Sequence, residues 1–192
     1  MNGTERFGLD LIRLDLAAEP LLDDERLASY VGDPATSASY VAWDMPVLAV
    51  ADATVVDVRT DVADHDPNGF TPGLDINDTT GNFVVLDLGG GMRVMTNHLR
   101  QGSATVKVGD RVTKGQVIGV VGNSGNTTEP HLHIQVYRGE TPLSGDNVPF
   151  VIEGFDYLGQ LSTSGITTPT PAGPRTDQYP LVRAMMNFAE PE

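Results

Sequence analysis

Histidine is scarce in this chain, four residues in 192, and two of the four stand one residue apart in the stretch SGNTTEPHLHIQVY, residues 124–137. On an extended strand alternate side chains share a face, so His131 and His133 project together, about 6 to 7 Å apart along the backbone. That spacing lets one imidazole ligate a metal while the other reaches a water bound to it. Pro130 and the turn NSGNTTE before it place His131 at a strand entrance. His98, in MTNHLR, closes another strand-like run, and a third imidazole enters the same cleft if the two strands are neighbours. The bland alternative is three unrelated polar residues on half-exposed strands. The fourth, His65, lies in VADHDPNG between Asp64 and Asp66; it reads as a solvated loop residue, with a minor alternative in which the loop swings it in as a ligand. With no cysteine in the chain, His and carboxylate are the available zinc ligands.

The elements that must position these groups are short strands. ATVVDVR, NFVVLDLG, RVMTNHL and QVIGVVG are rich in valine with alternating polar positions, and GGG at 89–91 and NSGN at 123–126 are turns. The pattern predicts an antiparallel all-β core from Tyr40 to Tyr137, a sandwich or rolled sheet. LLDDERLASYVG predicts a helical turn or two, and residues 59–78 a long polar loop over one face. The Ser-, Thr-, Gly- and Pro-rich segment after Gly159 reads as an extended tail that wraps the domain or lies loose. The expected organisation is therefore one domain over 1–159, with its core at 40–137, and a tail over 160–192.

A net charge of -14 argues against a phosphate-binding surface, so no nucleic-acid partner is expected. Two lysines against ten arginines and eighteen aspartates suit either a salt-adapted protein or an ordinary acidic secreted one, with the acidic residues forming a solvated face. No apolar run approaches the roughly 20 residues of a membrane span. MNGTERFGLD at the start has neither the basic beginning nor the apolar core of a secretory signal, so the chain is expected to be intracellular or presented without a leader.

The run from Asn97 to Tyr137, NHLRQGSATVKVGDRVTKGQVIGVVGNSGNTTEPHLHIQVY, closely resembles the lysostaphin-type zinc metallopeptidases that cut peptide bridges in bacterial peptidoglycan. MPVLAVADATVVDV resembles the strand pair that precedes it there, and ERFGLDLIRLD is a weaker match to the family's first motif. The resemblance implies an antiparallel β-sandwich or barrel-sandwich hybrid, a zinc ion, a peptide or peptidoglycan-like substrate, and an extracellular or cell-envelope location. It implies Asp10 and His133 as metal ligands, His131 as general base, and His98 as the group that polarises the water or holds the oxyanion. Zinc would lower the pKa of a bound water to about 7 while neutral imidazoles move the proton.

The motif's remaining ligand is a histidine four residues before the aspartate, and there this chain has Arg6. A guanidinium keeps its proton and cannot ligate zinc; beside Asp10 it is expected to form an ion pair. Two ligands fall short of the three usual in a catalytic zinc site. Three readings stay open at this point: a zinc endopeptidase with an unusual first ligand, a non-catalytic relative binding a peptide, glycan or protein, and a histidine phosphocarrier. The last rests on VKVGDRVTKGQVIGVV, which also resembles barrel-sandwich carriers and phosphocarriers; His98 and His131 would supply its histidine pair.

Overall fold

The structure, a computed structural model, describes residues 6–18, 21–23, 26–67, 74–141, 145–162 and 165–188. In chain order its strands are β1 (Leu9–Leu11), β2 (Leu22–Asp23), β3 (Arg26–Leu27), β4 (Pro46–Leu48), β5 (Ala53–Arg59), β6 (Asn82–Gly89), β7 (Met92–Leu99) and β8 (Arg111–Val112). There follow β9 (Val117–Val120), β10 (Leu132–Arg138), β11 (Asp146–Asn147), β12 (Ile152–Ser162), β13 (Gly165–Thr167), β14 (Gly173–Gln178) and β15 (Ala184–Asn187). Two compact units result, one drawn from Met1–Arg13 and Ser29–Val148, the other from Leu14–Ala28 and Pro149–Glu192.

The first unit is built on a seven-stranded antiparallel sheet in the order β1-β10-β7-β6-β5-β8, with β11 also on β10. β6 and β7 form its central hairpin, closed by Gly89, Gly90 and Gly91, all at positive φ, a backbone that β-branched residues would resist. Val84, Val85 and Leu86 are consecutive and all buried, as are Val94 through Leu99. Unbroken burial means that both faces of the sheet's middle are covered, where the alternation in the sequence suggests one wet face. Part of that cover is the short β4–β9 pair, whose Val47 and Ile118 are buried and whose Gly119 lies against the Leu99 side chain. On one face, Val85, Met95 and Tyr137 form a core cluster with Val56 and Phe83 against it.

Within the second unit β12 is the spine, with β13 and β14 in its sheet and β15 also paired to it. This strand runs straight through Gly159, the expected boundary of an extended tail, and the segment beyond supplies three further strands. The expected helical turn in LLDDERLASYVG is instead the β2–β3 pair: Leu22 and Leu27 sit opposite one another and pack on Leu161 and Met185. So short a segment gains more from that packing than from an isolated helical turn, whose nucleation is costly. No helix among the described residues is long and apolar enough to cross a membrane.

Candidate functional site

Strand register assembles the site. Asp10 on β1 faces His133 on β10, and His133 faces Asn97 on β7, so the three lie in one row across three strands. Cross-strand partners share a face. His131 stands just before β10 on that same face, and Gln135 continues it two residues beyond His133. His98 joins them from β7 because its backbone is left-handed, at φ 60, which breaks the alternation after Asn97. The His98 and His131 rings lie 4.8 Å apart between centroids, and those of His98 and His133 6.0 Å. All four residues singled out for chemistry, Asp10, His98, His131 and His133, are thus brought together.

Backbone carbonyls set the tautomers at one end. His98 Nδ1 is 2.8 Å from the Ser124 carbonyl, and His131 Nδ1 is 2.7 Å from the Glu129 carbonyl. A carbonyl only accepts, so each Nδ1 carries a proton; His98 Nε2 keeps its lone pair, whereas His131 Nε2 faces the Asp10 carboxylate. Thr127 Oγ1 adds a contact to His131 Nδ1 at 3.1 Å. His98 is 6 % exposed, and burial pushes its imidazole down to about 3, helped by the His131 ring, with the Ser124 carbonyl opposing. It is neutral at physiological pH.

The other end is held by side chains. His133 Nδ1 is 2.7 Å from Asp10 Oδ1, and His131 Nε2 is 3.5 Å from the same oxygen. Hydrogen bonds from His131 and then His133 hold the Asp10 carboxyl far below the usual carboxylate range, against the effect of burial. The remaining nitrogen of His133 meets Gln135 Oε1 at 3.0 Å. Asn97, opposite His133, buries a side-chain carbonyl oxygen that has no hydrogen-bond partner among the described residues. Gln135 and Asn97 were absent from the sequence-based set. The period-2 rule that picked out His131 and His133 reaches Gln135 by one further step, whereas Asn97 needs the strand register.

Two expectations are corrected. Arg6 does not pair with Asp10: its guanidinium lies 5.1 Å over the ring of Phe7, and the carboxylate's partners are histidines. Phe7, at φ 69, turns the chain between Arg6 and Asp10, and Asp10 then lies in a strand aimed at β10. His65 is half-buried rather than loose in solvent. Its Nδ1 faces the Asp66 carbonyl at 2.9 Å and its Nε2 the Gly125 carbonyl at 3.0 Å, while its own carbonyl accepts from Asn123 and Ser37. The residue ties the long loop to the turn before His131.

Asp10 Oδ1 and His133 Nδ1, atoms of the two ligands the resemblance implies, meet each other in a hydrogen bond. Among the described residues, however, no group of three or more His, Cys, Asp or Glu side chains is placed to hold a metal ion. A catalytic zinc typically takes three protein ligands. The donor set present does not fit that ion.

Residues 38–144 match the model of Peptidase family M23. Peptidoglycan DD-endopeptidase ShyA of Vibrio cholerae is 38% identical over 71 residues, which cover 36% of this chain and 16% of that protein. Lysostaphin of Staphylococcus simulans is 40% identical over 77 residues, covering 38% of this chain and 15% of lysostaphin. The chain thus spans about a sixth of the length of these curated relatives. Among solved structures, the catalytic domain of the prophage-encoded M23 protein EnpA from Enterococcus faecalis aligns with a TM-score of 0.43 and 21% identity, over 73% of this chain and 88% of that one. The lysostaphin catalytic domain from Staphylococcus simulans aligns with a TM-score of 0.40 and 23% identity, over 62% and 84%.

Proposed function

This chain belongs to peptidase family M23, and we propose that its cleft takes a peptide of peptidoglycan type and holds it at the histidine row without a stably bound zinc. It is metallopeptidase-like in family and in site. The observation that carries the proposal is the joint one at Asp10: its carboxylate is hydrogen-bonded to His133 Nδ1 at 2.7 Å, while Arg6, at the place of the third ligand, is turned onto Phe7. The groups of the row suit a peptide backbone. The anionic Asp10 accepts from an amide N–H or an amino terminus, and the lone pair on His98 Nε2 accepts from a second N–H.

A second reading, hydrolysis of the bound peptide, is favoured by one further observation. His98 has Nδ1 committed to a carbonyl, which leaves its Nε2 lone pair to accept a proton in the cleft it shares with His131. What separates the readings is turnover. Purified peptidoglycan and a pentaglycine peptide are incubated with the chain, and both co-sedimentation and release of new amino termini are followed. Binding weakened by Asp10→Ala with no new termini supports the first reading; release of termini that His131→Ala abolishes supports the second. Absence of both would refute the peptidoglycan assignment.

A further inference from the structure

His131 stands just ahead of β10, before the residues that β1 and β7 pair, so the strand ladder does not fix its ring. The segment in front of it does. Nδ1 donates to the Glu129 carbonyl at 2.7 Å, with Thr127 Oγ1 at 3.1 Å, and Nε2 faces Asp10 Oδ1 at 3.5 Å. The direction of the ring therefore depends on one peptide plane, the one between Glu129 and Pro130.

Three restraints act on that plane. A residue before proline is confined to extended conformations, so Pro130 limits Glu129 from one side. Thr127 Oγ1 donates to the Glu129 carbonyl itself at 2.8 Å. The third restraint comes from far along the chain: Glu129 Oε2 accepts from Ser29 Oγ at 2.6 Å, across a hundred residues of sequence. Ser29 is 2 % exposed and its place is fixed. Its carbonyl accepts from the Val41 N–H at 2.8 Å, and the adjoining Tyr30 faces Tyr40 across an antiparallel bridge, with their rings 5.4 Å apart. A hydroxyl so buried costs stability unless it is paired, and a carboxylate makes the pairing roughly twice as strong as a neutral acceptor does.

We propose that Ser29 and Glu129 are positioning residues for His131. The serine hydroxyl anchors the Glu129 side chain, and the anchored residue presents its main-chain carbonyl to Nδ1, which turns Nε2 toward Asp10 and sets the ring beside that of His98. Both residues act through the imidazole and not on the peptide. His98 supplies the contrast within the same site: its Nδ1 is held by the Ser124 carbonyl, and neither Ser29 nor Glu129 takes part in that contact.

The use made of the ring rests on the reading of the cleft given above, but the test does not, because it follows the ring's own proton rather than binding or turnover. In the full chain carrying isotope-labelled histidine, NMR should show protected Nδ1–H resonances for both His98 and His131. Ser29→Ala and Glu129→Ala should each speed solvent exchange of the His131 proton at least about tenfold while leaving that of His98 unchanged. Glu129→Gln, which keeps an oxygen to accept from Ser29, should hold the His131 proton within about threefold of the parent. Exchange at His131 that ignores both alanine substitutions would overturn the proposal. Loss of the two histidine protons together would do the same, since the contact would then support the whole site and not His131. An unprotected His131 proton in the unmodified chain would contradict it outright.

Discussion

The two ends of the histidine row are built differently. At the His98–His131 end both rings are pinned by main-chain carbonyls of the segment 124–129, and His98 is buried in the middle of the sheet. At the Asp10–His133 end the decisive contact is between two side chains, and Asp10, with its side chain 58 % exposed, comes from a three-residue strand at the sheet's edge. The first end is positioned by the fold and survives whatever happens to a metal. The second depends on a short edge segment, where Arg6 stands at the place for which the resemblance implies a histidine. On the proposed reading, such a site keeps its proton-handling groups in place while lacking a full ligand set.

The largest expected effect is at the weak end. Arg6→His should restore a third donor beside Asp10 and His133 and raise zinc affinity roughly a thousandfold, on the order of 4 kcal/mol, since four-ligand structural zinc sites are worth about 10 to 16 kcal/mol. Competition with a chelator of known affinity measures it, and His133→Ala in that background should abolish the gain. An affinity unmoved by Arg6→His would mean that the edge strand does not present residue 6 to the site.

At the strong end the comparable lesion is Gly125→Ala. Gly125 sits at φ 87, and a Cβ there would come within 2.4 Å of the Gly81 backbone, forcing apart the two turns that hold the Ser124 carbonyl against His98. A loss of about 3 kcal/mol is expected, read from denaturant unfolding. Both histidine rings should be displaced while the Asp10–His133 contact persists.

A milder effect comes from pH. His98 is lowered from its ordinary 6.5 to about 3 in the folded chain, so the unfolded chain binds a proton over that interval and the folded one does not. Stability therefore falls as pH drops from about 6.5, before ordinary carboxylates titrate near 4. A melting temperature lower by about 5 °C at pH 4.5 than at pH 7 is expected, as a kcal/mol shifts Tm by roughly 2 to 4 °C at this size. His98→Gln should flatten that slope. The smallest effect is Gln135→Leu, which removes the acceptor at His133 Nε2 and should reduce the zinc affinity of the Arg6→His variant about tenfold, the usual size for a partner behind a ligand.

Much of this was legible in the sequence. Period-2 spacing put His131 and His133 on one face, Gly- and Asn-rich turns marked the hairpins, and the family resemblance linked Asp10 to residues more than a hundred positions away. What was not legible depends on through-space neighbours. The left-handed backbone at His98 is held by contacts with the 122–124 segment, and no local pattern announces it. Arg6 was expected on Asp10 because opposite charges attract, but Phe7 turns the chain between them and gives the guanidinium an aromatic ring of its own. The segment after Gly159 looked like a tail because its Thr and Pro content shows no strand alternation of its own, yet β13, β14 and β15 all pair with β12.

The most direct test is zinc content per chain, measured by plasma mass spectrometry after purification with neither added metal nor chelator. The two-donor account predicts well below one equivalent, removed by brief dialysis, with Asp10→Ala and His133→Ala indistinguishable from the parent. One tightly held zinc per chain, lost on His133→Ala, would contradict it and make hydrolysis the leading reading of the cleft.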